Sequence, residues 1–196
     1  MFDLDNMAAK NVLHYIQSLT LYTDKNWELL YPALSIVAFK KDEYLLETGK
    51  VCQALFYISK GYCRAFYDKD GRDINTAFFF EDDIATNINS FARGEQSAHA
   101  IQAMEAVTAV RFDKQLLYAA AIKDPDIEML GRKCLQRIAA KQEQHTAIYQ
   151  LMTGLERYEY MEEHFPDVVQ RVSLTQLSSY LGVARETLSR IRARRG

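Results

Sequence analysis

The sequence predicts an α+β chain: an N-terminal β-roll (jelly-roll-like), a long connecting helix and a C-terminal helix-turn-helix. Three observations lead there. Between about Leu34 and Phe112, short apolar runs are punctuated by Gly49, Gly61 and Gly71, the roughly ten-residue rhythm of an all-β sandwich or roll. From Asp126 to about Glu163 the apolar residues return at helical 3–4 spacing. The last stretch, Ser173 to Arg194, contains two short amphipathic runs joined at Gly182. The expected domains are 1–124 for the β-roll, 125–160 for the long helix and 161–196 for the helix-turn-helix.

Composition narrows the class. With 196 residues, 48% of them hydrophobic, the chain can bury one good core and a small second domain. No apolar run approaches the ~18 residues of a membrane span, so no membrane partner is expected. The start, MFDLDNMAAK, is acidic and lacks a basic leader, so no secretory signal is expected. Cys52, Cys63 and Cys134 are odd in number and widely spaced, which fits a reduced, cytoplasmic compartment.

Along the chain, Val12, Tyr15, Ile16 and Leu19 form an apolar stripe in a helical region spanning 7–30. A second helix starts near Thr23, and Pro32 closes the region. Strands are then expected at Ser35–Phe39, Tyr44–Leu46, Leu55–Ile58, Tyr62–Tyr67, Ile74–Phe80, Ala98–Met104 and Ala106–Phe112. Asp70-Gly71 between two such runs is a hairpin signal. Asp124-Pro125-Asp126 suits a helix start, with Pro in the first turn and acids at the positive end of the dipole. The stripe that follows, Ile127, Leu130, Cys134, Ile138, His145, Ile148, Met152 and Leu155, is interrupted by Lys141 and His145. It fits either an amphipathic helix lying on its own domain or a helix pairing with another copy. Pro166 is expected to end this helical region.

The C-terminal runs carry the most information. Ser173 followed by Gln176 is a capping signature, and Leu174, Leu177 and Leu181 mark one buried face. Gly182 supplies the turn. The second helix, from near Ala184, buries Leu188 and Ile191 and carries Arg185, Glu186, Thr187, Ser189, Arg190 and Arg192 on its other face. Six arginines stand against one acid from Arg171 onward, in a chain of net charge −2, so positive charge is concentrated as phosphate binding requires. The plainer alternative is a small helical hairpin with a solvated basic face.

The run Val183 to Ile191, VARETLSRI, resembles the recognition helix of the Crp/Fnr family of bacterial transcription regulators. The stretch Leu55 to Arg64 is similar to that family's cyclic-nucleotide-binding β-roll, which extends the resemblance to most of the chain. The resemblance implies an effector-sensing β-roll, a homodimer built on the long helix, and double-stranded DNA with a two-fold symmetric site as partner. At ~30 residues and ~45 Å, the helix is also too long for one small β-roll to cover. The family's pattern assigns Arg185 and Arg190 to guanine edges and Glu186 to a cytosine amino group, pairings that side-chain geometry also favours. Ser173, Thr187 and Arg192 become candidates for phosphates. Ala184 stands where the family often has Ser, and the chain ends at Gly196 without a following strand hairpin.

The effector is a small molecule of unknown identity. The region expected to hold it runs from Phe80 to Ala100 and includes Asn87, Arg93, Gln96 and Ser97. Where cyclic-AMP-responsive members have Gly-Glu for the ribose, Asp83 to Asn87 stands here. Gln96 replaces the arginine that pairs with the phosphate, and a neutral amide cannot pair as a guanidinium does. Thr146 is the lone Ser or Thr between Asp126 and Met152, so the expected Thr-Ser pair is missing too. Cyclic nucleotide binding in the usual mode is therefore not expected. There is no cysteine before Cys52 for an iron–sulfur cluster, and His14, His99, His145 and His164 are scattered. No cofactor or metal is expected. Cys52 and Cys63, read as lying on adjacent strands, are the remaining candidates for a redox pair. No nucleophile with a partnered base and no His-x-His cluster appears, so no enzyme is expected. The alternative function is a β-roll sensor that acts through a protein partner rather than DNA.

Overall fold

The computed structural model describes residues 7–21 and 23–193. Arg194, Arg195 and Gly196, counted above in the basic C-terminus, lie outside the described residues. The chain forms two compact units. One comprises the chain up to Ala65 together with Phe79–Ile138; the other comprises Phe66–Phe78 together with the chain from Ala139 on. In order, the elements are α1 (Met7–Leu19), α2 (Asp24–Leu30), a 3-10 turn (Tyr31–Ala33), β1 (Leu34–Phe39), β2 (Tyr44–Leu46), β3 (Ala54–Lys60), β4 (Cys63–Lys69), β5 (Arg72–Phe79), β6 (Ile84–Ala85), α3 (Ile88–Arg93), β7 (Ala100–Ala103), β8 (Val107–Asp113), α4 (Lys114–Lys123), α5 (Pro125–Leu151), α6 (Gly154–His164), α7 (Pro166–Arg171), α8 (Leu174–Leu181) and α9 (Arg185–Ala193).

The strands form two four-stranded sheets, ordered β1-β8-β3-β6 and β2-β7-β4-β5. Register in the first sheet sets Leu34 opposite Phe112 and Ile36 opposite Val110, and Tyr57 on β3 is also opposite Val110. Val110, Tyr57 and Phe112 join Ala8, Ala9, Val12, Tyr15 and Ile16 of α1 in one buried cluster. Burying a valine, isoleucine or phenylalanine of this set contributes about 1.5–3 kcal/mol. Asp70 and Gly71 have φ of 54° and 73°, so the β4–β5 turn is the primed type that matches strand twist. Gly61 has no substitute: a Cβ there would come within 2.6 Å of the Ala106 carbonyl oxygen. Cys52 and Cys63, the candidate redox pair, do not lie on adjacent strands. Cys63 opens β4 in one sheet, Cys52 precedes β3 of the other, and both are buried free thiols. Burial, with Glu105 nearby, pushes the Cys63 thiol up to about 12, far from thiolate formation.

The helical segments differ from expectation in three ways. First, α4 is an additional helix; Asp113 ends β8 and caps α4 by accepting from the Gln115 and Leu116 amides. Second, the long helix stops at Leu151. Thr153 opens α6 with a capping box, in which its hydroxyl accepts from Glu156 N and the Glu156 carboxylate accepts from Thr153 N at 2.7 Å. The helix is thus 27 residues, about 40 Å. Third, Pro166 starts α7 from its first turn rather than only ending what precedes it.

The apolar stripe of α5 has an intrachain partner. Ile127 and Leu130 are 1% and 4% exposed within the same cluster as Tyr57, and Cys134 and Ile138 pack against it. Asp124 fixes the helix start, accepting from Asp126 N at 2.9 Å and from the buried Asn26 side chain at 3.0 Å. What α5 leaves exposed is another set, including Met129 and Leu135. In the second unit, Ile148, Tyr158, Met161, Val168, Val172, Leu177, Leu181 and Leu188 are all buried. The distal part of the β4–β5 hairpin belongs here. Buried Asn75 donates its backbone N–H to Ser179 Oγ at 3.0 Å, and Ser179 Oγ donates to the Asp73 carbonyl at 2.9 Å. Phe78 lies against Tyr180, ring centroids 5.1 Å apart.

Candidate nucleic-acid interface and effector region

Helices α8 and α9 are joined by a three-residue turn. Ser173 caps α8, its hydroxyl accepting from Gln176 N at 3.3 Å. Leu177 and Leu181 are buried as their spacing requires. Gly182 closes α8 in the left-handed region, φ 66°, a conformation that disfavours any side chain. Ala184 then accepts the first bond of α9, from Leu188 N at 3.1 Å, but has no side-chain oxygen for an orphan amide. On α9, Leu188 is fully buried, whereas Arg185, Glu186, Thr187, Ser189 and Arg190 are exposed. Among the described residues, the side chains of Arg185, Glu186 and Arg190 make no hydrogen bond or ion pair, so their full hydrogen-bonding capacity faces solvent. Ile191, expected to be buried, is half-buried.

Arg192, expected to be a candidate for a phosphate, has contacts within the chain. Its Nη2 donates to the Val169 carbonyl of α7 at 2.7 Å, and its guanidinium lies 5.8 Å from the Tyr158 ring centroid. A side chain so held braces α9 against α7 and α6. The charge pattern alone cannot distinguish such a brace from a free cation, because the acceptor is a backbone carbonyl 23 positions away.

The structure brings two of the four effector-region residues together. Asn87 caps α3, accepting from Ser90 N at 3.2 Å, and its side-chain amide donates to Ser97 Oγ at 2.8 Å. Ser97 is buried; its hydroxyl also donates to the His99 carbonyl at 2.6 Å and accepts from His99 N at 3.3 Å. One donor and two lone pairs are thereby all engaged, which leaves this hydroxyl nothing for a ligand phosphate. Arg93, in the last turn of α3, and Gln96 are exposed and outside this network. Ser90, which sequence reasoning did not single out, locks the loop from below: Cys52 N donates to its hydroxyl at 2.8 Å. Thr146 is turned back on its own helix, donating to the Gln142 carbonyl at 2.9 Å.

Residues 36–124 match the profile of the cyclic nucleotide-binding domain family. No curated protein sequence matches the chain significantly. Among solved structures, FixK2 from Bradyrhizobium japonicum is similar at 20% identity, covering 82% of this chain and 83% of that one, with a TM-score of 0.66. The c-di-GMP responsive global regulator CLP of Xanthomonas campestris is similar at 12% identity, covering 88% and 91%, TM-score 0.68. A CooA variant from Carboxydothermus hydrogenoformans gives 15% identity, 96% and 85%, TM-score 0.67. At such identities the likeness is one of fold. Residues 36–124 are thus a domain of the cyclic nucleotide-binding class. Over most of its length the chain shares its fold with FixK2, CLP and CooA.

Proposed function

We propose that this protein is a homodimeric, DNA-binding transcription regulator of the Crp/Fnr type. Residues 1–124 sense an effector, 125–160 connect and dimerise, and 161–196 form a helix-turn-helix that reads a two-fold symmetric site. The observation that supports this most is α9: Leu188 anchors it while Arg185, Glu186, Thr187 and Arg190 stand exposed and unengaged beyond the Gly182 turn. Arg185, at the helix start, is placed as recognition helices place the residues that reach base edges. Arg185 and Arg190 suit guanine and Glu186 suits cytosine. Ser173 and Thr187 remain candidates for phosphates, whereas Arg192 is held internally and is read as a brace. The dimer face proposed is the side of α5 that carries Leu135 and Met129, 47% and 44% exposed, because Ile138 and Ile148 are engaged within their own chain.

The effector is not read as cyclic AMP in the usual mode. Ser97 is saturated by Asn87 and His99, and Gln96 supplies no charge. The test is selection of bound sequences from a random DNA pool, with wild type and Arg185→Ala. Wild type should yield a two-fold symmetric motif with half-sites about 34 Å apart. Arg185→Ala should relax one position per half-site by ~1–3 kcal/mol of discrimination. Absence of any symmetric motif, or an unchanged motif in the variant, refutes the reading of this helix.

A further inference from the structure

Three helix ends meet on one side chain. Arg157 lies in the first turn of α6, its backbone N–H donating to Thr153 O at 2.9 Å. Its Nη2 donates to the Tyr149 carbonyl in the last turn of α5 at 2.7 Å, and its Nη1 donates to the carbonyl of Leu181, the last residue of α8, at 2.9 Å. Carbonyls at helix C-termini lack intrahelical donors and sit at the negative end of the dipole, so a cation there is favourable twice over. The guanidinium also lies over the Tyr149 ring, 4.5 Å from its centroid. Only the rigid fork of an arginine spans two fixed acceptors while stacking on an aromatic face.

Two glycines border this arrangement, and Gly154 is the one that leaves room for it. A Cβ on Gly182 would sit 3.4 Å from Arg157 Nη1, and a Cβ on Gly154 would collide with Val183 Cγ1. The Val183 side chain of the α8–α9 turn thus seats on the bare Gly154 backbone at the start of α6, and the Arg157 guanidinium lies beside Gly182. His145 and Tyr180 pack around the same centre, with the His145 ring 4.5 Å from Tyr149 and 5.2 Å from Tyr180.

We propose that Arg157 is the positioning residue of the DNA-reading helix: it ties the end of the long helix to the turn that launches α9, and so sets the direction in which Arg185 and Arg190 are presented. The proposal rests on the DNA-reading role argued above. It makes Arg157 a determinant of discrimination between sequences although its guanidinium is spent on helix-end carbonyls and not on DNA.

The experiment measures affinity of the full-length protein for a selected site and for bulk DNA, in wild type, Arg157→Gln and Arg157→Lys. Folding is checked by circular dichroism. Arg157→Gln should lower the ratio of selected-site to bulk affinity at least tenfold and leave the salt slope on bulk DNA unchanged. Arg157→Lys keeps the charge but cannot span both carbonyls at once, and should fall between. A purely structural role would reduce the active fraction and scale both affinities alike, leaving the ratio at its wild-type value; that result overturns the proposal. If Arg157→Gln does not fold, the ratio for Arg157→Lys decides. If wild type prefers no sequence, the DNA reading itself is wrong and the positioning role falls with it, whereas a discriminating wild type with undiminished variants overturns the positioning role alone.

Discussion

Replacing Arg192 with Ala separates a brace from a phosphate contact. The substitution removes a charge-assisted bond to the Val169 carbonyl at 2.7 Å, and such bonds contribute about 1.5–3 kcal/mol. It also removes a cation lying 5.8 Å from the Tyr158 centroid, worth about 0.5–1 kcal/mol at a partly exposed site. The side chain is half-buried, so the lower end of each range applies, and the C-terminal unit should lose about 2 kcal/mol. Urea unfolding followed by a probe in that unit should show a lower midpoint with an unchanged slope against denaturant. Titration of bulk DNA across a salt series should give the wild-type salt slope, since no phosphate partner has been removed. The opposite pattern refutes the reasoning. An unchanged midpoint with a salt slope reduced by about 0.9 would mean that Arg192 leaves Val169 and neutralises a phosphate.

Four further outcomes are expected. Ala184→Ser should stabilise α9 by about 0.5–1 kcal/mol by giving its first turn a capping oxygen, and a lower melting temperature would contradict that. Calorimetry should find cyclic AMP binding weaker than about 10 µM, roughly −7 kcal/mol, because Ser97 has no free capacity and Gln96 no charge. Leu135→Asp should convert a dimer to monomers in light scattering if the exposed side of α5 is the seam, whereas Ile138→Asp should chiefly destabilise the first unit's core. Burial, with the Arg157 cation nearby, holds the His145 pKa below its ordinary value. Its neutral form therefore contributes stability that is present above the usual histidine pKa of about 6.5 and is lost as pH falls through the lower folded value. The C-terminal unit should weaken on acidification below about pH 6.5, and His145→Phe should flatten that dependence.

Much of this architecture is visible in the chain. The turn glycines and Asp70-Gly71 locate the strands, and Ser173, Leu177, Gly182 and Leu188 locate α8 and α9 within a residue or two. The failures have physical causes. Helix α4 lacks a stripe: Leu116 and Ile122 are exposed while Ala120 is buried, so periodicity has nothing to report, although Asp113 followed by Gln, Leu and Ala-rich sequence favours a helix by capping and propensity. The break after Leu151 was announced by Thr153 and Glu156, a capping box embedded in an otherwise continuous helical pattern. The stripe from Ile127 to Ile138 shows that one face is buried but not what covers it. A chain's own core and another copy of the chain leave the same spacing. Effector-region residues read one at a time likewise cannot reveal that Asn87 and Ser97 satisfy each other. That requires the closure of a loop, not a motif.

The distal part of the β4–β5 hairpin has a consequence for how the protein is made. Asn75 and its partner Ser179 are 104 positions apart, so the ribosome delivers the hairpin long before α8 exists. At synthesis rates of roughly 5–20 residues per second, β5 waits about 5–20 s for that partner. It does so as the edge strand of its sheet, the position most open to pairing with a foreign strand. Arg72 and Asp73 at its start put charge of both signs on that edge, which discourages a neighbour during the interval. The C-terminal unit, in turn, is not a separable tail. A fragment beginning at Ala139 would be born without the strand that Ser179 and Tyr180 close upon.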